Sequence, residues 1–130
     1  MKHAILLTHG PIGDALIEAV RGIMGLDEGL HALVVNNMSV ADISARLLAL
    51  INAPEEQQDG VLIMASLKGG SCWNVAVATA KDHEHVRVLS GVNLSMVLSF
   101  ITKRDLLSLD ELANTVVKDG LRGIALHIKN

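Results

Sequence analysis

The sequence predicts an α/β domain with a mainly parallel sheet and helices on both of its faces. Two observations carry this. Short apolar runs of strand length recur down the chain, separated by longer segments whose apolar residues fall at helical spacing. Glycines, or a glycine followed by proline or asparagine, stand where three of those runs stop, as expected where a strand turns into a helix in a βαβ unit.

The first run, Ala4-Ile5-Leu6-Leu7, ends at Thr8-His9-Gly10-Pro11. Gly10 permits a backbone angle closed to other residues, and Pro11 is preset for the first turn of a helix. Ile12, Ala15, Leu16, Ala19, Val20, Ile23 and Met24 supply that helix with an apolar face. Gly25 to Gly29 is a turn, Leu30 to Val35 the second strand, and Ser39 with Asp42 a variant capping box opening a second helix. Pro54 is expected to end that helix, and Glu55 to Asp59 to form a solvated loop. Gly60 to Ala65 is apolar throughout, as a strand covered on both faces should be. After Ser66-Leu67-Lys68-Gly69-Gly70-Ser71 a third helix begins, rich in small residues, with Ser71 as its cap or an anion donor. Val86 to Ser90 is the fourth strand and Gly91-Val92-Asn93 its exit, followed by a short helix from Leu94. Ser108 and Glu111 form a capping box for the last helix, which ends at Gly120 or Gly123. Ile124 to Ile128 reads as a final strand.

The 130 residues suffice for one domain with one core, and the boundaries are drawn at 1–130. Half of the residues are hydrophobic, while Trp73 and Phe100 are the only aromatics, so the core is aliphatic. The formal charge is −3 with no basic stripe, which argues against nucleic-acid binding. A single cysteine, Cys72, precludes an internal disulfide, and no signal-peptide pattern or membrane-length apolar stretch occurs. A cytoplasmic setting without membrane insertion is expected.

In a doubly wound sheet of order 2-1-3-4, the carboxyl ends of strands one and three are neighbours. That places His9 against Ser66 to Ser71, with Asn93 at the rim. Ligands of open α/β sheets bind at this edge, and helix N-termini there favour anions, phosphate above all. A neutral imidazole is a nucleophile near physiological pH. His9 is therefore the candidate phosphoryl acceptor. Gly10, Lys68, Gly69, Gly70, Ser71 and Asn93 are candidate phosphoryl-binding residues. Asp14, one turn into the first helix, is the only nearby carboxylate, so a water-activating base is lacking and holding a phosphoryl group is favoured over hydrolysing its ester. His83 and His85 lie in a charged loop without further ligands and are not read as a metal site. His3, His31 and His127 are read as strand histidines. No metal or cofactor is called for. Cys72 is either a packing residue or a thiol activated by a helix N-terminus. Trp73 either docks a partner or packs on its own helix.

These residues, Thr8-His9-Gly10, Gly69-Gly70-Ser71 and Gly91-Val92-Asn93, with the strand-helix order and length, resemble the IIA domain of the mannose family of the bacterial phosphoenolpyruvate:sugar phosphotransferase system. The resemblance covers essentially the whole chain. It implies that His9 accepts a phosphoryl group from phosphohistidine on HPr and passes it to a IIB protein, here a separate one since no linker follows. It also implies a homodimer in which the last strand, Gly123 to Ile128, is exchanged and added antiparallel at the sheet edge. Two positions depart from the family pattern. Ser66 stands where an aspartate bonded to the histidine is usual, which makes it the candidate orienting partner of His9, and Cys72 stands where proline is usual. The alternative is thus a non-catalytic regulatory binding module of the same fold. A phosphatase or mutase would need an arginine where Thr8 stands, and a second pocket histidine.

Overall fold

The computed structural model describes residues 1–53 and 59–129. Among the described residues nine elements follow in the order β1 (His3–His9), α1 (Ile12–Met24), β2 (Leu30–Val35), α2 (Val40–Ile51), β3 (Val61–Ala65), α3 (Ser71–Ala80), β4 (Val86–Leu89), α4 (Leu94–Lys103) and α5 (Leu109–Arg122). The sheet is parallel throughout, in the order β2-β1-β3-β4. The expected end of α2 at Pro54 and the loop from Glu55 lie outside the described residues, apart from Asp59, whose carboxylate pairs with the N-terminal ammonium.

Strand alternation divides the core into two layers. Ala4 and Leu6 of β1 point to one face and Ile5 and Leu7 to the other, and all four are fully buried. The first face takes Ile17 and Val20 of α1, Met96, Val97 and Phe100 of α4, and Leu112 and Val116 of α5. The second takes Ile43, Leu47 and Ile51 of α2, and Cys72, Val75 and Ala76 of α3. β1 and β3 lie inside the sheet with helices on either side, hence their unbroken apolar runs.

The helix ends obey local chemistry. Ser39 Oγ accepts from the Asp42 amide at 3.1 Å. Ser108 and Glu111 form the complete reciprocal capping box. Helix α1 has no cap at Pro11; instead the buried hydroxyl of Thr8, back in β1, accepts the Gly13 amide at 2.9 Å. A Cβ on Gly13 would lie 3.2 Å from both Leu6 O and Thr8 Oγ1, so the absence of a side chain there lets α1 approach the strand.

One expectation needs correction. Ser71 does not cap α3: Gly70 occupies the cap position and Ser71 is the first helical residue. Its hydroxyl is therefore available to the adjacent histidine. The last strand, expected as one exchanged between two copies, does not form within the single chain. Residues 124–129 have no regular structure and pair with no strand of this chain, leaving Ile124, Leu126 and Ile128 exposed at 71, 83 and 67%. A strand exists only through hydrogen bonds to a neighbour. Among the described residues the tail makes none, and β4 keeps an open edge.

Candidate functional site

The site lies at the carboxyl edge of the sheet, where β1 and β3 end side by side. Leu7 pairs with Ala65 in the parallel ladder. One residue further, the Ser66 amide donates to the Leu7 carbonyl at 3.3 Å. The two chains then diverge toward α1 and α3, opening the crevice typical of such an edge. His9 is the last residue of β1 and is exposed. Gly10 follows in the left-handed region, with φ +62°, and its amide is tied to the Val35 carbonyl at 3.2 Å. The loop holding His9 is thus fixed on both sides: by Thr8 to α1 and by Gly10 to β2.

The imidazole stands between two hydroxyls. Ser66 Oγ lies 3.3 Å from Nδ1, and Ser71 Oγ lies 3.3 Å from Nε2. Cys72 Sγ is 3.8 Å from each ring nitrogen and closes the site from the core side. The Ser71 contact places Nε2 at the start of α3, where the first amides have no intrahelical acceptor. Gly70 brings that helix close: a Cβ there would sit 3.9 Å from His9 Cε1. A nucleophilic nitrogen, a rotatable hydroxyl and a helix N-terminus therefore share one point, an arrangement suited to receiving a dianionic phosphoryl group.

The structure brings together His9, Ser66, Gly70 and Ser71 of the residues named from sequence. Gly10 and Gly69 shape the two loops. Lys68 is exposed and enters none of the hydrogen bonds or ion pairs among the described residues. Asn93 is committed elsewhere. Its Oδ1 accepts the Met96 amide at 2.9 Å as the cap of α4, and its Nδ2 donates to the Gly120 carbonyl at 3.2 Å. It serves to fasten α4 to α5 and is not among the ring's contacts. Asp14 lines a groove along the outer edge of β2 with Arg46 and Leu50, and pairs with no atom of His9. Trp73 is half-buried and lines a groove of about 310 Å³ with Val77, Ala80, Val86 and Val88, along the open edge of β4.

The contact of Cys72 with the ring is the feature that sequence reading missed. Its position directly after Ser71, in the first turn of a helix aimed at His9, was the available signal. Burial raises its thiol pKa, so it is a packing group beneath the ring and not an activated thiolate. The other histidines lie apart. His3 and His31 stack with ring centroids 5.2 Å apart, and His83 and His85 meet edge to face at 5.8 Å. Among the described residues no three or more His, Cys, Asp or Glu side chains are grouped to hold a metal ion, and no helix is long and apolar enough to cross a membrane.

Comparison with known proteins places the chain in a family. Residues 3–117 match the family model described as the PTS system fructose IIA component, EIIA-man. The chain belongs to the mannose-family IIA components of the sugar phosphotransferase system. It is 31% identical over 112 residues to the sorbose-specific EIIA component of Klebsiella pneumoniae, covering 86% of this chain and 82% of that protein. It is 30% identical over 129 residues to the mannose-specific EIIAB component of Escherichia coli K12, of which it spans 39%. The crystal structure of the EIIA component from Streptococcus agalactiae superposes with a TM-score of 0.86 at 26% identity, covering 96% of each chain. This IIA component thus has the phosphocarrier fold of its relatives.

Proposed function

We propose that this protein carries a phosphoryl group on His9, taken from phosphohistidine of an HPr-type donor and passed to a IIB-type acceptor. The observation that carries this reading is the exposed imidazole whose Nε2 meets Ser71 Oγ at the start of α3. In the transfer, the Nε2 lone pair attacks phosphorus while the donor's P–N bond breaks and its electron pair returns to the donor imidazole. The proton stays on Nδ1, directed at Ser66 Oγ. Ser71 turns its hydroxyl from Nε2 to a phosphoryl oxygen, and the opening amides of α3 take a share of the charge. Gly69 and Gly70 leave the approach clear, and Lys68 supplies long-range attraction to the anion. No carboxylate pairs with His9 among the described residues, so nothing there activates water to remove the group. The work takes place in the cytoplasm.

The test is intact-protein mass after incubation with phosphoenolpyruvate, enzyme I and HPr, kept alkaline because phosphohistidine is acid-labile. One phosphoryl mass gain, absent in His9→Ala, is expected. No gain with the cognate donor would leave the second reading, a regulatory binding module, which Ser66 in place of the family's aspartate favours.

The exposed tail suggests how the molecule assembles. Ile124, Leu126 and Ile128 alternate as strand residues do, and β4 has an open edge beside the Trp73 groove. In this reading two copies exchange residues 123–128, each laid antiparallel on the partner's β4, and Trp73 contacts the exchanged strand. Light scattering should give a dimer for the full chain and a monomer after truncation at Arg122.

A further inference from the structure

We propose that Ser66 sets how firmly His9 holds its phosphoryl group: a neutral partner on Nδ1 makes the phosphorylated form short-lived and readily surrendered. This rests on the phosphocarrier reading above. Ser66 is half-buried and is placed by the backbone, through the hydrogen bond its amide donates to the Leu7 carbonyl, so that its hydroxyl lies 3.3 Å from Nδ1. The other polar groups against the ring are equally uncharged: the Ser71 hydroxyl and the buried, protonated Cys72 thiol. No carboxylate is paired with His9 among the described residues.

Forming the N–P bond draws the Nε2 lone pair out of the ring. The ring gains positive character and Nδ1–H becomes a stronger donor. A carboxylate at Nδ1 would answer with a charge-assisted hydrogen bond, about twice as strong as a neutral one. A serine oxygen answers with a neutral bond whose strength changes little on phosphorylation. The stabilisation forgone is specific to the phosphorylated state, so it appears in the equilibrium constant for transfer from the donor. Its size is on the order of tenfold. The phosphoryl group then partitions toward the donor and leaves quickly for the next acceptor, while the unphosphorylated site is unaffected. Ser66 is thus a positioning residue that also tunes the transfer potential.

The experiment measures the equilibrium partition of phosphoryl groups between HPr and the full-length protein, by intact mass at alkaline quench, for wild type, Ser66→Asp and Ser66→Asn. Asparagine matches aspartate in size and hydrogen-bonding reach but carries no charge, so it separates the electrostatic role from a structural one. The phosphorylated fraction should rise about tenfold in its equilibrium constant for Ser66→Asp and stay within about threefold of wild type for Ser66→Asn. Phosphorylation of all three proteins with equal constants overturns the role of Ser66 and leaves the carrier reading standing. An equal rise in both variants assigns the effect to shape and also overturns it. Absence of label on wild type and both variants overturns the carrier reading, and this one with it.

Discussion

Replacing Thr8 by valine tests the clamp that positions His9. The two side chains have nearly the same shape, so the change removes one hydrogen-bond acceptor without opening a cavity. Thr8 is fully buried, and among the described residues its hydroxyl oxygen is the one acceptor for the Gly13 amide, 2.9 Å away in the first turn of α1. Helix α1 has no other side-chain cap. Leaving a buried donor unsatisfied costs about 1–3 kcal/mol, and the added methyl returns at most about 0.8 kcal/mol. A net loss of about 1–2 kcal/mol is expected. Unfolding entropy near 2.1 cal/mol/K per residue gives roughly 270 cal/mol/K for 130 residues. The melting temperature should therefore fall by roughly 4–7 °C. Circular dichroism melts check the magnitude, and hydrogen exchange at the Gly13 amide checks the cause, since that amide should lose protection before the rest of α1. A melting temperature within about 1 °C of wild type, with Gly13 still protected, would refute the reasoning.

Two further perturbations probe the opposite end of the sheet and the helix pair. Arg104 is 5% exposed, lies 5.7 Å from the Phe100 ring centroid and donates to the Glu28 carbonyl at 2.5 Å. Arg104→Ala removes that packing and leaves the carbonyl unpaired, so urea unfolding should show a loss of about 2–3 kcal/mol; a loss under about 1 kcal/mol would mean that the stem is not holding the β1–β2 end together. Asp119 accepts from Lys103 Nζ at 2.5 Å and from Ser99 Oγ at 2.7 Å, and these hydrogen bonds hold its carboxyl below the usual range. Because its folded pKa lies below the unfolded one, the unfolded chain binds the proton first as pH falls. The stabilisation is present above about pH 4 and is lost as pH drops through the lowered folded value. Asp119→Asn should lower the urea midpoint at neutral pH and make the acid limb shallower by up to one proton; an unchanged limb would show that Asp59, Asp110 and Glu111, which are also lowered, carry it alone.

Most of the architecture was legible in the sequence because it rests on short-range regularities. The buried runs of β1 and β3, the helical spacing from Ile12 to Met24, and the Ser108–Glu111 capping box each depend on residues a few positions apart. The approach of His9 to Ser66 also followed from sequence, since the order 2-1-3-4 makes the ends of β1 and β3 neighbours. What tertiary structure alone decided depends on distance across the chain. Asn93 reads as a site residue from its place after β4, yet it is spent on α4 and the Gly120 carbonyl, because α5 packs there. Cys72 turned inward beneath the ring, a matter of one helix's rotation against the sheet. Thr8 caps a helix five residues on, which no capping pattern encodes. Residues 124–129 have strand character in sequence but remain unpaired in one chain. A strand's stability resides in the edge it meets, and the chain's own sequence specifies the side chains of that strand without specifying its neighbour.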